Sequence, residues 1–192
     1  MIELKDGDAL ILVDVQNDFL PGGALAVPNG DQVVPVLNEY IERFLAKNLP
    51  IFATRDWHPP DHCSFQPQGG PWPPHCIAGS LGAQFAPGLK LPENTQVISK
   101  ATDPKREAYS GFDGTDLEQK LRQLGSRRLF VGGLATDYCV LNTVKDACRL
   151  GFEVFVLIDA VRAVNVSPGD EQKALDEMQR QGARFITFKD LK

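Results

Sequence analysis

An acid, a second acid, an amine and a thiol stand at corresponding places along this chain. Asp14 ends the apolar run "ALILVD" (9–14), Asp56 ends "PIFATRD" (50–56) and Lys100 ends "TQVISK" (95–100). A further run, "RRLFVGG" (127–133), leads through Gly132 and Gly133 to Cys139. Each run reads as a short buried strand, and in an open parallel sheet ligands gather outside the carboxyl ends of the strands. The four groups are therefore expected on one edge. A thiol beside an acid and an amine has the makings of nucleophilic chemistry, in which one group moves or stabilises the proton of another. Each residue alone has a plainer explanation, since strand-end aspartates cap turns, lysines are solvated and cysteines fill cores. Their coincidence is what points to a site.

A second cluster is compact in sequence. All three histidines, His58, His62 and His75, fall between residues 58 and 75. Histidines this close together in a long loop are candidate ligands of an open metal site. A closed structural site that recruits Cys63 or Cys76 is the alternative at this point.

The elements that would position these groups follow from periodicity. "QVVPVLNEYIERFLAKN" (32–48) places Val33, Val36, Leu37, Tyr40, Ile41, Phe44 and Leu45 on one helical stripe, with Pro35 tolerated in the first turn. "TDLEQKLRQLG" (115–125) predicts a helix opening with Thr115 and Glu118 in capping-box spacing and ending at Gly125. A third helix is expected from about Tyr138 to Leu150, and a fourth from Ser167 and Pro168 to Gly182. "EVFVLID" (153–159) and "RFITF" (184–188) complete six strands. This alternation predicts a single α/β domain over 1–192: a three-layer, Rossmann-like α/β/α fold around a mostly parallel six-stranded sheet. The long Pro- and Gly-rich loop from Trp57 to Glu93 is the exception, and loops of that length are usually functional. The third helix would put Cys139 in its first turn, where the helix dipole and Lys100 both lower a thiol pKa. Free backbone N–H groups there could hold an oxyanion. Cys148, in the last turns of the same helix, reads as packing.

Composition narrows the class. Twenty basic and 25 acidic residues give a formal charge of −5, which argues against nucleic acid or anionic lipid as main partner. No run approaches the length needed to cross a bilayer, and the N-terminal residues do not read as a signal peptide. A soluble, cytoplasmic protein with reduced thiols and a small-molecule partner is expected. Phe188 and Leu191 leave both a homo-oligomer contact and docking on the chain's own domain open.

"ILVDVQNDFLPGGALAV", "TRDWHPPDHCSF", "GGPWPPHC", "ISKATDP", "YSGF" and "GGLATDYCV" together resemble the nicotinamidases, which belong to the isochorismatase-like cysteine hydrolases. The match runs in order from Leu10 to about Val164. The resemblance implies a catalytic triad of Asp14, Lys100 and Cys139, a divalent metal on Asp56, His58 and His75, and His62 as a fourth ligand that only some relatives use. It further implies a cis peptide before Ala135, an oxyanion hole from the N–H groups of Ala135 and Cys139, and ring packing by Phe19, Trp72 and Tyr109. The implied reaction is hydrolysis of nicotinamide, and of pyrazinamide, to the acid and ammonia through a thioester, in NAD salvage. The implied metal, most simply zinc with iron or manganese as alternatives, would take the ring nitrogen and aim the carboxamide at sulfur. An N-carbamoyl amidase or an isochorismatase is the nearest alternative within the superfamily.

Overall fold

The computed structural model describes residues 1–192. Six strands, β1 (Asp8–Val13), β2 (Ile51–Asp56), β3 (Gln96–Lys100), β4 (Arg128–Leu134), β5 (Glu153–Arg162) and β6 (Arg184–Ile186), form one sheet in the order β3-β2-β1-β4-β5-β6. Every pairing is parallel. The order runs one way to β1 and reverses at β4, so the switch point lies between the strands that carry Asp14 and Cys139. That is where an open α/β sheet leaves a crevice.

Alternation along the strands sorts the core into two layers. Leu10 and Leu12 of β1 join Phe130 of β4 and Phe155 and Leu157 of β5 on one face. Helix α1 (Val33–Ala46) covers that face with Val33, Leu37, Tyr40, Ile41 and Phe44. Ala9, Ile11 and Val13 point the other way, with Leu129, Val131, Val154 and Val156. There they meet α2 (Leu117–Gln123), α3 (Leu141–Arg149) and α4 (Asp170–Arg180) through Leu117, Leu121, Val144, Ala147 and Met178. A sheet buried on both faces needs continuous apolar strands, and "ALILV" is such a strand. No helix is long and apolar enough to cross a membrane.

Several element ends differ from the sequence expectation. At α2, Thr115 Oγ1 accepts the Leu117 N–H at 3.3 Å but Glu118 does not reach back. It pairs instead with Arg122 one turn on, at 2.8 Å, so the capping box is not made. Helix α4 starts at Asp170 rather than Ser167, because Gly169 sits in the left-handed region at φ 86° and Asp170 turns back to accept the Ser167 N–H. The third helix differs most. Residues Thr136–Val140 form a π-turn in which the Val140 N–H reaches the Ala135 carbonyl, and α3 begins only at Leu141. Cys139 therefore sits in a wide turn before the helix and not in its first turn. The Leu134–Ala135 peptide is cis. At the C-terminus Leu191 is buried and bridges Ile2, and Phe188 packs edge-on against Tyr40, so both dock on their own chain.

Two glycines close β4 for a steric reason. Gly133 has φ +121°, and a Cβ there would lie 2.2 Å from the Val13 carbonyl oxygen. A Cβ on Gly132 would stand 2.9 Å from Leu37. Only glycine lets β4 approach β1 this closely, which brings the turn carrying Cys139 over the end of the strand carrying Asp14.

Candidate active site

The strands end where the chemistry begins. Asp14 follows β1 with φ 49°, and Ala101 follows β3 with φ 52°, so the chain leaves the extended conformation abruptly at both places. Left-handed backbone at non-glycine residues is unusual and collects at functional sites. Here it turns the Asp14 carboxylate into the crevice, where the whole residue is inaccessible to solvent.

Lys100 is the hub. Its Nζ lies 2.8 Å from Asp14 Oδ2, donates to Asp56 Oδ1 at 2.5 Å, and approaches Cys139 Sγ at 3.3 Å and the Ala108 carbonyl at 3.3 Å. Thr54 Oγ1 donates to the other Asp14 oxygen at 2.7 Å, while Asp14 Oδ2 keeps its ionic neighbour but accepts no hydrogen bond. Oxygens of Asp14 and Asp56 and the sulfur of Cys139 lie within 4.8 Å of one another. The four groups chosen at the strand ends thus meet around one ammonium.

Their electrostatics follow from burial. Burial pushes the Asp14 carboxyl up and Asp56 adds to this, but Lys100 limits the rise to about 6. Burial also penalises the charged form of Asp56, yet Lys100, His58 and His75 outweigh it and hold that carboxyl below the usual range. Lys100 is kept charged far above its ordinary value, because two carboxylates overcome its own burial. The thiol of Cys139 goes the opposite way to the sequence expectation. Burial, with Asp14 and Asp56 close by, raises it well above its normal value despite Lys100. The proton therefore rests on sulfur, beside a carboxylate that is mostly ionised at neutral pH.

Asp56 also belongs to the histidine cluster. Ligand atoms of Asp56, His58 and His75 lie within 4.8 Å of one another, and all three residues are buried. The Nδ1 of His58 faces the His75 carbonyl at 2.9 Å and that of His75 faces the Pro73 carbonyl at 2.8 Å. A carbonyl can only accept, so each Nδ1 carries a proton and each Nε2 is the nitrogen left free of the backbone. His58 Nε2 is buried with no partner, and burial holds the imidazole neutral, with a pKa lowered to about 4. An orphaned lone pair beside a carboxylate and a second imidazole is the donor set of a divalent metal. Neither Cys63 nor Cys76 joins the group, so the closed structural site expected as the alternative is not formed.

His62 is placed differently. Its Nε2 faces the Arg106 carbonyl at 3.0 Å, so that nitrogen donates, and its Nδ1 accepts the Ser64 N–H at 3.3 Å and lies 2.7 Å from Ser64 Oγ. Both nitrogens are committed within the protein. The long loop that carries the histidines is pinned by short bridges, His58 to Ile77, Phe65 to Trp72 and Gln16 to Phe85.

A pocket opens above Cys139, and most of the residues lining it are apolar or aromatic. Its walls include Phe19, Trp72 and Tyr109, together with Tyr138. Trp72 Nε1 donates to the Tyr109 hydroxyl at 3.1 Å, and Tyr138 meets Trp72 edge-on at 5.2 Å. Asp56, His58, His75, Ala135 and Cys139 line the same cavity. The Ala135 N–H makes no hydrogen bond within the protein, as a donor kept for an oxyanion requires.

Nothing in the sequence pattern singles out Gln16, Thr54, Glu107 or Tyr138. Gln16 is wholly buried and holds Asp56 at both backbone groups: its Oε1 accepts the Asp56 N–H at 2.8 Å, and its Nε2 donates to the Asp56 carbonyl at 2.8 Å and the Ala83 carbonyl at 2.9 Å. Gln16 opens the polar run Gln16, Asn17 and Asp18, which reads as a solvated turn, so nothing sets it apart before the fold is known. Gln16→Ala would strand these groups without water, so denaturant unfolding is expected to show a loss of about 2–4 kcal/mol.

Comparison with known proteins agrees with this architecture. An isochorismatase domain matches residues 8–190. The nicotinamidase of Escherichia coli is 41% identical over 203 residues, covering 95% of this chain and 95% of its own. Among solved structures, the pyrazinamidase of Pyrococcus horikoshii in complex with zinc superposes with a TM-score of 0.91 at 52% identity, over 95% of this chain and 99% of that one. PnC1 of L. infantum in complex with nicotinate gives 0.90 at 36%, over 100% and 98%. With matching sequence over nearly its full length and the same architecture, the chain belongs to the isochorismatase family.

Proposed function

We propose that the chain is a nicotinamidase, a cysteine amidohydrolase that converts nicotinamide, and pyrazinamide, to the corresponding acid and ammonia. The observation that carries this reading is the contact of one buried ammonium with Asp14, Asp56 and Cys139, which joins a nucleophile to a metal-type cluster under an aromatic-walled pocket. Relatives named for nicotinamide and pyrazinamide hydrolysis, at 41% and 52% identity, support the substrate class.

Asp14 takes the proton from Cys139 as sulfur attacks the amide carbon, and the resulting oxyanion rests on the N–H groups of Ala135 and Cys139. Lys100 stabilises the anionic sulfur and keeps Asp14 ionised between turnovers. Asp14 then gives its proton to the leaving nitrogen, the carbon–nitrogen bond breaks, and ammonia departs from a thioester. Water enters, loses a proton to Asp14 and attacks the thioester carbon. The carbon–sulfur bond breaks, and the proton returns to sulfur as the acid leaves. Phe19, Trp72 and Tyr109 hold the flat ring. Asp56, His58 and His75 would hold a divalent cation, zinc in this proposal, which supplies a Lewis-acid position for the ring nitrogen.

Purified protein assayed with nicotinamide, pyrazinamide, isochorismate and an N-carbamoyl amine is expected to release ammonia from the first two and no pyruvate from the third. Ammonia from the N-carbamoyl amine alone would replace this reading with the amidase alternative. Stripping the metal with a chelator is expected to lower kcat/KM for nicotinamide by about tenfold or more, with recovery when zinc is restored.

A further inference from the structure

The ladder between β4 and β5 ends at the pair Leu134 and Arg162. Beyond it β4 runs into the π-turn, and β5 runs into residues 163–169 ahead of α4. Two residues just past the ladder, Ala135 and Val164, line the cavity that contains Cys139. The nucleophile turn and one wall of the pocket must therefore be held together where the sheet no longer does it.

Asp137 makes the connection. From the middle of the turn its Oδ1 accepts the Val164 N–H at 2.9 Å and its Oδ2 accepts the Asn165 N–H at 2.8 Å. One carboxylate thus takes two consecutive backbone donors, 27 and 28 residues away in sequence. Hydrogen bonds to a carboxylate are roughly twice as strong as those between neutral groups. Asn165 lies in the left-handed region at φ 53°, and its Oδ1 accepts the Glu171 N–H at 2.8 Å in the first turn of α4, so the clamp is passed on to a helix. Residues 165–169 are exposed, and packing contributes little to fixing them. The turn itself closes through the Tyr138 and Val140 N–H groups on the Ala135 carbonyl. Neither bond sets where the turn stands against Val164.

We propose that Asp137 is a positioning residue for the amide hydrolysis: its carboxylate holds the turn carrying the Ala135 and Cys139 N–H donors against the Val164 wall of the pocket. The proposal rests on the reading of the chain as a nicotinamidase and of those donors as its oxyanion hole. Asp137 does not itself line the cavity; it acts through backbone that does. Without the clamp the turn and the wall move independently, and a misplacement of about 1 Å is enough to cost roughly 100-fold in rate. The donors meet the oxygen fully only as the tetrahedral state forms, so the loss falls on kcat, and the freed wall raises KM to a lesser degree.

The test compares zinc-loaded wild type, Asp137→Ala and Asp137→Asn, with nicotinamide as substrate and pyridine-3-carbaldehyde as probe. The probe takes the Cys139 sulfur at its carbonyl carbon, the carbonyl π electrons move to oxygen, and the thiol proton passes to Asp14. An oxyanion then stands where the amide would form one. Asp137→Ala is expected to lower kcat about 10- to 100-fold, to raise KM about threefold or less, and to weaken inhibition by the aldehyde in proportion to kcat/KM. Asp137→Asn keeps the shape of the side chain and one acceptor oxygen, so it is expected to fall between the two, and it serves as the second variant should the alanine form fold poorly. Variants that melt below wild type but keep kcat, KM and aldehyde inhibition would overturn the positioning role and leave Asp137 as a stabilising contact alone. Wild-type protein that hydrolyses no nicotinamide would overturn the reading of the enzyme, and the role of Asp137 in that reaction together with it.

Discussion

Replacing Cys139 with alanine is expected to cut kcat/KM for nicotinamide by about 10⁴-fold or more, because a covalent route loses its first bond-forming step with the sulfur. The competing route, direct attack by metal-activated water, would leave most activity in this variant and make the thiol incidental. The two are separable because the substitution is small. Cys139 is 6% exposed and packs in the core layer shared with α3, so removing one sulfur costs about 1 kcal/mol and leaves the fold intact. Metal binding should also persist, since the sulfur is not a member of the Asp56–His58–His75 group. Wild-type enzyme mixed rapidly with excess substrate gives a second reading. If thioester hydrolysis is the slower half, ammonia appears in a burst ahead of the acid. Retention of more than about a tenth of wild-type activity by a well-folded, metal-loaded Cys139→Ala protein would rule the covalent route out.

The raised pKa of the thiol shapes how that step must run. A dipole-activated cysteine would exist as thiolate before substrate arrives, as the position of Cys139 in the sequence suggests. The π-turn and burial beside two carboxylates instead leave the proton on sulfur. Proton transfer to Asp14 then accompanies attack, and the negative charge passes from the carboxylate through sulfur to the oxyanion without a free thiolate being stored. Lys100 touches both carboxylates and the sulfur, so it follows the charge as it moves.

What was legible from the chain follows from periodicity and topology. Asp14, Asp56, Lys100 and Cys139 could be brought together on paper because three of them stand at strand ends and Cys139 a few residues beyond one, and parallel strands present their carboxyl ends on one side. The histidine trio was legible from its density. Neither argument reaches interactions set by distances of a few tenths of an ångström. The engagement of both His62 nitrogens depends on Ser64 and on a carbonyl 44 residues away, and the clamp of Gln16 on Asp56 spans 40 residues. Glu107 lines the pocket from an irregular segment with no period to read. The direction of the thiol shift was missed for a related reason: a helix start is visible in sequence, but the burial that overrides it is not.

Asp14 should show the second large effect, and it should show it in two ways. Asp14→Asn keeps the shape of the side chain and its contact with Thr54 but removes the proton acceptor, so a fall of about 10³-fold or more in kcat/KM is expected. In the wild type the same requirement appears as an acid limb. The carboxyl must be ionised to take the proton from Cys139, and its pKa stands at about 6, raised by burial and limited by Lys100. Activity is therefore full above that value and falls as pH drops through it, reaching about one-tenth at pH 5 and losing a further tenfold for each unit below. An ordinary carboxylate would place the limb about two units lower. The residual activity of Asp14→Asn should lack the limb altogether, because no acceptor remains to be protonated. A wild-type profile that stays flat to pH 4.5, or an asparagine variant that retains the limb, would move the base to another residue. The buried carboxylate paired with Lys100 would then be structural, and the proton of Cys139 would need a route that the contacts around the sulfur do not otherwise provide.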